Sequence, residues 1–246
     1  MKASAFEFRF RVWIIVVVIF LGFSAPWIEL LHLGTRTTAW LWLGFELGAL
    51  GISSTAGILA VTILTIIVAA LAAAIRVWGT AYLGTATVNN AEMKAGRVMA
   101  DGPYRRVRNP LYIGSWFMVA AISVLMPVSG AAFTMILLSV FLLRLILGEE
   151  AFLAPRLGES YIAYKKAVPR LIPSPWPRVA AGGQSPNWTR AFLYEITPMG
   201  VLVSFAALSW QYNAFLLSRA VLVCFGLSLV VRAFVPPNPE TRQPAL

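Results

Sequence analysis

Long apolar runs separated by short, mostly basic polar segments set the pattern of this chain. Runs near residues 12–33, 57–78, 111–126, 131–148, 192–210 and 214–234 approach or reach the roughly 20 helical residues that cross a hydrocarbon core. The pattern predicts an all-α integral membrane protein with about six transmembrane helices and both termini on one side. Between the first two runs, residues 36–56 mix Trp40, Trp42 and Phe45 with threonine and glycine, the make-up of an element in the headgroup zone or of a re-entrant segment. The first run follows Lys2, Arg9 and Arg11 as the core of a signal peptide would. It continues past Ser24 and Ala25 into Pro26, a poor residue after a cleavage site, and on through Trp27 and Leu31, so it reads as a retained span.

Topology makes one juxtaposition. From Pro110 the third run rises for about 16 residues, Pro127–Gly130 reverse the chain, and about 18 residues return to Gly148, an antiparallel helical hairpin. Asn109 and the acidic pair Glu149–Glu150 are therefore expected to be neighbours. Pro110 suits a first helical turn and leaves free N-terminal amides beside Arg105, Arg106 and Arg108, a place expected to attract an anion. Adjacent carboxylates at a membrane boundary are expensive without a partner and are expected to draw a cation. Each feature also has a plainer reading: the arginines as topology signal and lipid anchor, the glutamates as counter-charges to Arg105, Arg108 or Arg144, and Tyr104, Tyr112, Tyr161 and Tyr164 as an interfacial aromatic belt. Together they fit a zwitterionic ligand with a flat base, bound where cytosol meets lipid.

Composition sharpens this picture. Of 246 residues, 59% are hydrophobic and 12% charged, against about a quarter charged in soluble domains, which leaves no room for a separate soluble enzyme domain. The net charge of +10 would suggest nucleic acid in a soluble protein, but of the 20 Lys and Arg residues only Arg36 and Arg219 fall on the face away from the rest. That asymmetry obeys the positive-inside rule, so the basic face and both termini are expected to be cytoplasmic, in a bacterial cytoplasmic membrane, with no role for nucleic acid. One histidine, His32, one cysteine, Cys224, and one aspartate, Asp101, exclude an ordinary zinc site and an internal disulfide. Cys224 reads as a small buried hydrophobe, and His32, across the membrane from Asp101, excludes a serine-type triad. The stretch from Pro173 to Gly183 reads as a linker that divides the chain into an N-terminal part (1–75), a core (76–177) and a C-terminal helical pair (178–246), the last with few polar groups besides Glu195, Gln211 and Arg219.

The core carries a resemblance. Gly102-Pro-Tyr-Arg-Arg-Val-Arg-Asn-Pro-Leu-Tyr-Ile-Gly114, then Glu149-Glu150-x-x-Leu153, Gly158-x-x-Tyr161-x-x-Tyr164 and Val168-Pro-Arg-x-x-Pro173, resemble the isoprenylcysteine carboxyl methyltransferase and phospholipid methyltransferase superfamily over residues of about 76–177. The resemblance implies a multi-pass enzyme that binds S-adenosylmethionine at the cytosolic helix ends and methylates a lipophilic carboxylate or amine, prenylated or lipid, arriving from the bilayer. It implies that Tyr104, Arg108, Pro110 and Tyr112, with Asn109, shape the cofactor pocket. Glu149 or Glu150 would hold the cofactor's amino group, and the stretch from Tyr161 through Tyr164 to Arg170 would close over the adenine. The family usually has Arg-His-Pro where this chain has Arg108-Asn109-Pro110; asparagine donates and accepts hydrogen bonds but is no base.

A sulfonium donor needs alignment in a dry pocket more than acid catalysis. Arg108 and Glu150 are the expected catalytic residues: Arg108, or Arg170, to orient a carboxylate acceptor, and Glu150, or Glu149, as base for an amine. Two other readings stay open: a membrane sterol-type reductase using NADPH, and a non-catalytic lipid-binding protein.

Overall fold

The computed structural model describes residues 2–83 and 100–234, and the regular elements among them are all helical. Lys94, Arg97 and Arg242, which contribute to the charge asymmetry, lie outside the described residues. A short helix α1 (Ala5–Arg9) opens on a capping box, in which Glu7 N–H donates to Ser4 Oγ and Ser4 N–H donates to the Glu7 carboxylate at 2.7 Å. Helix α2 (Arg11–Ser24) stops where Ala25 adopts a left-handed φ of 35° ahead of Pro26, and α3 (Trp27–Leu31) follows after the break. The expected single span 12–33 is thus two helices.

Helix α4 (Ala39–Ala49) and α5 (Ser54–Leu83) form an antiparallel hairpin. Trp40, expected near the headgroups, is instead only 2% exposed, and its indole N–H donates to Thr62 Oγ1 at 3.0 Å inside that hairpin. Trp42 and Phe45 remain exposed on its outer side. Helix α6 (Pro110–Ser123) packs antiparallel on α5, and a turn through Pro127 leads into α7 (Val128–Ala167), the returning arm of the expected hairpin. The C-terminal part holds α8 (Trp188–Tyr194), α9 (Ile196–Leu208) and α10 (Ala214–Phe234), with a 71° bend between α8 and α9.

Helices α5, α7 and α10 are each long and apolar enough to cross a membrane, and the bent pair α8–α9 makes a fourth candidate. The apolar helices α2 and α6 have 14 residues each, about 21 Å at the usual rise, short of a ~30 Å hydrocarbon core. Length and composition thus support three or four spans where the sequence pattern predicts about six. Between α5, α6 and α9 a core of Val61, Ala69, Ile122, Met126, Val201 and Phe205 holds the bundle together.

The antiparallel contacts gather Arg76, Arg105, Arg106, Arg108, Arg170 and Arg232 at one end of the bundle. At the other end Arg36 donates to Glu29 at 2.6 Å, and Arg219 stacks on the Phe215 ring. The N-terminal segment is strapped to the basic end: Ala3 N–H donates to the Arg144 carbonyl at 3.0 Å, and Arg144 grips the Glu7 carboxylate with two donors at 2.9 Å. Hydrogen bonds from the Arg144 guanidinium and from Ser4 hold the Glu7 pKa at about 2, below its ordinary 4.5.

Two outcomes follow. Glycines 22 and 130 bring α2 and α7 into backbone contact, so that a Cβ on Gly130 would collide with the Gly22 carbonyl. Gly130→Val should lower stability by about 1–3 kcal/mol through overpacking, whereas Gly226→Val, with open space at its Cβ position, should not; thermal unfolding in detergent compares them. Because the Glu7 pKa is depressed on folding, the strap's contribution is present above about pH 4.5 and is lost as pH falls toward 2. Proteolysis of the N-terminal segment should rise across that interval, and Glu7→Gln should show the raised cleavage already at neutral pH.

Candidate functional site

Helix α7 runs through Gly148 without a stop, so Glu149 and Glu150 lie within a helix and not at its end as the sequence pattern predicts. Consecutive helical residues point about 100° apart, so the two carboxylates diverge and take different partners. Glu150 is 3% exposed and is the meeting point of three cations. Arg108 Nη1 donates to its Oε1 at 2.7 Å, Arg170 donates through Nε at 3.1 Å and Nη2 at 2.8 Å, and Lys165 Nζ lies 3.5 Å from Oε2. Glu149 instead accepts the Tyr112 hydroxyl at 2.9 Å.

Local backbone geometry makes this convergence possible. Gly158, shortly after Pro155, has φ 59° and ψ −143°, non-helical values that bend α7 so that Tyr161, Tyr164 and Lys165 come back over Glu150. Beyond α7 the chain runs antiparallel to the segment that precedes α6. Arg108 N–H donates to Pro169 O at 2.9 Å, Ser174 N–H to Arg106 O at 2.9 Å, Arg178 N–H to Arg105 O at 2.8 Å and Gly182 N–H to Ala100 O at 3.2 Å. The buried Asp101 carboxylate fixes the far end by accepting from the amides of Gly182, Gly183 and Gln184 at 2.8, 3.2 and 3.1 Å. The stretch from Pro173 to Gly183, read from sequence as a linker, is therefore tied along its length to the segment carrying Arg105–Arg108.

The structure thus brings together Arg108, Glu150 and Arg170, and beside them Tyr112, Glu149, Tyr161, Tyr164 and Tyr104. Asn109, where the resemblance expects histidine, donates through Nδ2 to the Arg170 carbonyl at 3.1 Å and so steadies that arginine. Pro110 occupies the first turn of α6 as expected, but it lines a small apolar hollow with Ile75, Trp78, Pro103, Val107 and Pro173. Arg105 and Arg106 are spent on the carbonyls of Val179 and Pro175. Of the three arginines expected to attract an anion, Arg108 is the one that reaches the acidic pair. The tyrosines are not a lipid-facing belt: Tyr104, Tyr161 and Tyr164 are all buried, and Tyr164 donates to the Tyr104 carbonyl at 2.8 Å.

Two buried donors of the site have no partner among the described residues, Tyr104 Oη and Arg108 Nε. Burial, then the nearby Glu149 charge, pushes the Tyr104 phenol well above its usual range, so it keeps its proton at any physiological pH. The Glu150 carboxylate, through its hydrogen bond, raises the Arg170 pKa.

A second charged centre escaped the sequence reading. Arg76 on α5 donates through Nε and Nη2 to Glu195 at 2.6 and 3.0 Å and through Nη1 to Ser115 Oγ at 2.6 Å, while Thr80 Oγ1 donates to Glu195 at 2.5 Å. Glu195 is fully buried at the α8–α9 bend. An arginine and a glutamate each standing in an apolar run, both costly unless paired, are the signal that could have joined them.

Fold and site define a multi-pass helical membrane protein with a buried charged centre at the basic end of its bundle. Residues 52–160, from α5 through the Glu149–Glu150 pair, match the family model of phospholipid methyltransferases. The match bears out the superfamily resemblance, begins earlier than residue 76, and leaves Tyr161, Tyr164 and Arg170 beyond its end. It supports a membrane methyltransferase acting on lipid-type substrates. No curated protein and no solved structure matches the chain.

Glu150→Gln would strip the counter-charge from Arg108, whose side chain is 10% exposed, and should lower stability by about 3 kcal/mol or more. Glu149→Gln keeps an acceptor for Tyr112 and should change stability by about 1 kcal/mol or less. Denaturation of both variants in one detergent tests the split.

Proposed function

We propose that this chain is an integral membrane methyltransferase that takes S-adenosylmethionine at the basic, cytosolic end of the bundle and methylates a lipophilic acceptor delivered from the bilayer. The observation that carries the reading is that the family match includes Arg108 and Glu150, the ion pair at the middle of the buried centre. The donor set suits an amino-acid head. Arg108 Nε is a buried donor without an acceptor, as a carboxylate would satisfy, and the Glu149 carboxylate has Tyr112 as its hydrogen-bond donor and is suited to an ammonium.

In this reading Glu149 meets the cofactor's amino group and Arg108 its carboxylate, with Tyr112, Asn109 and Pro110 shaping the wall and Tyr161, Tyr164 and Arg170 covering the nucleoside. Glu150 acts through others, holding Arg108 and Arg170 at fixed positions. When bound, S-adenosylmethionine supplies a methyl group already activated by its sulfonium charge. The protein's tasks are to align the acceptor, exclude water and, for an amine acceptor, take a proton, for which Glu149, hydrogen-bonded to Tyr112 and standing apart from the cations around Glu150, is the candidate. The basic end faces the cytosol in this reading, which the placement of lysine and arginine supports.

Incubation of the purified protein with labelled S-adenosylmethionine and a total lipid extract should place label in one lipid fraction. Glu149→Gln and Arg108→Lys should each reduce that label at least tenfold, on the order of one lost charge-assisted contact. Label transfer unaffected by both substitutions, or hydride transfer from NADPH in place of methyl transfer, would overturn the reading.

A further inference from the structure

Tyr104 has its backbone fixed on both sides. Its N–H donates to Asp101 O at 3.1 Å, and its carbonyl accepts the Tyr164 hydroxyl at 2.8 Å. Its own hydroxyl, in a residue only 6% exposed, has no partner among the described residues. The ring does not turn toward the cations around Glu150. It enters the bundle against α5, where Oη would lie 3.6 Å from a Cβ on Gly79, beside Leu111 and one turn beyond Arg76 toward the end of that helix. The charged groups whose fields reach it are Glu149, Arg76 and Glu195, and Arg76 and Glu195 are saturated by each other, Ser115 and Thr80. A buried donor is normally satisfied. A hydroxyl without a partner among the described residues, held by a rigid backbone and aimed away from the cations around Glu150, is suited to an acceptor atom that arrives with a ligand.

Resting on the methyl-transfer reading above, we propose that Tyr104 is a positioning residue for the acceptor: its hydroxyl donates a hydrogen bond to an oxygen in the polar head of the lipid entering from the bilayer, and it does not hold the cofactor. Such an oxygen occurs on the carboxylate of a lipidated amino acid and on the phosphate of an amine-bearing phospholipid. On a carboxylate, Tyr104 would engage one oxygen and leave the other free to attack. On a phospholipid it would anchor the phosphate while the amine reacts. In both cases the phenol retains its proton, and its contribution is orientation.

The test is Tyr104→Phe, which removes only the unpartnered oxygen. Full-length protein in lipid nanodiscs is assayed with labelled S-adenosylmethionine and, separately, vesicles of dioleoylphosphatidylethanolamine and N-acetyl-S-farnesylcysteine. Cofactor affinity is measured by calorimetry, and thermal unfolding is followed in parallel. The KM for the probe that is methylated should rise about tenfold, cofactor affinity should stay within about twofold, and the unfolding temperature should hold or rise because no bond is lost. The responsive probe tells carboxylate from phosphate. Weakened cofactor binding with unchanged KM would return Tyr104 to the nucleoside pocket and overturn the inference. A lowered unfolding temperature would make the hydroxyl structural, and no change in any readout would also overturn it. If the unsubstituted protein binds S-adenosylmethionine but methylates neither probe, the assigned headgroup oxygen is wrong. If it does not bind S-adenosylmethionine, the methyl-transfer reading itself fails first.

Discussion

A single buried carboxylate organises the basic end of this bundle. Glu150 accepts from Arg108, just ahead of α6, and from Arg170, beyond the end of α7, and lies near Lys165 on the bent arm between them. A lone carboxylate with so little water around it would be strongly disfavoured, and so would Arg108 without it. The pair is therefore a mutual requirement. Once met, it fixes where the segment ahead of α6 sits against the segment after α7. The antiparallel backbone bonds from Arg108–Pro169 to Ala100–Gly182, and the Asp101 carboxylate at their end, extend that constraint along both segments.

The division of labour between Glu149 and Glu150 follows from helix geometry alone. In the sequence they look like one acidic patch, and the expectation of a shared role treats them so. With α7 continuous through both, they look to different neighbours: one to a group of cations, the other to a tyrosine hydroxyl. The plainer reading of the acids as counter-charges thus holds for Glu150, whereas the hydrogen bond that Glu149 accepts comes from a tyrosine. Arg108 and Glu150 form one unit in which a change to either member alters the other.

Much of this was legible in the amino-acid pattern. The hairpin of α6 and α7 follows from two apolar runs joined at Pro127–Gly130, and the approach of Asn109 to the acidic pair follows from the hairpin. The resemblance at Gly102–Gly114 and Glu149–Glu150 is carried by ordered motifs, and the family match covers them. Helix breaks were harder to foresee. Ala25, with a left-handed φ, and Gly158, which bends α7, sit in runs whose hydropathy gives no warning, because hydropathy records burial and not backbone dihedrals. The segment around Pro173–Gly183 has the composition of a linker, yet its amides find carbonyl and carboxylate partners far away in sequence, which no local pattern encodes. Pairing of Arg76 with Glu195 is likewise non-local.

That last pair bears on how the chain is made. Arg76 and Glu195 are 119 residues apart, so on a ribosome feeding a translocon the guanidinium enters the lipid phase long before its counter-ion is synthesised. Its other side-chain partner, Ser115, is made 39 residues after it. The α8–α9 bend then brings the carboxylate that accepts from Arg76 and Thr80. The C-terminal pair is thereby an ionic keystone set last, and a chain released before residue 195 would leave the membrane with an unneutralised cation for quality control to find.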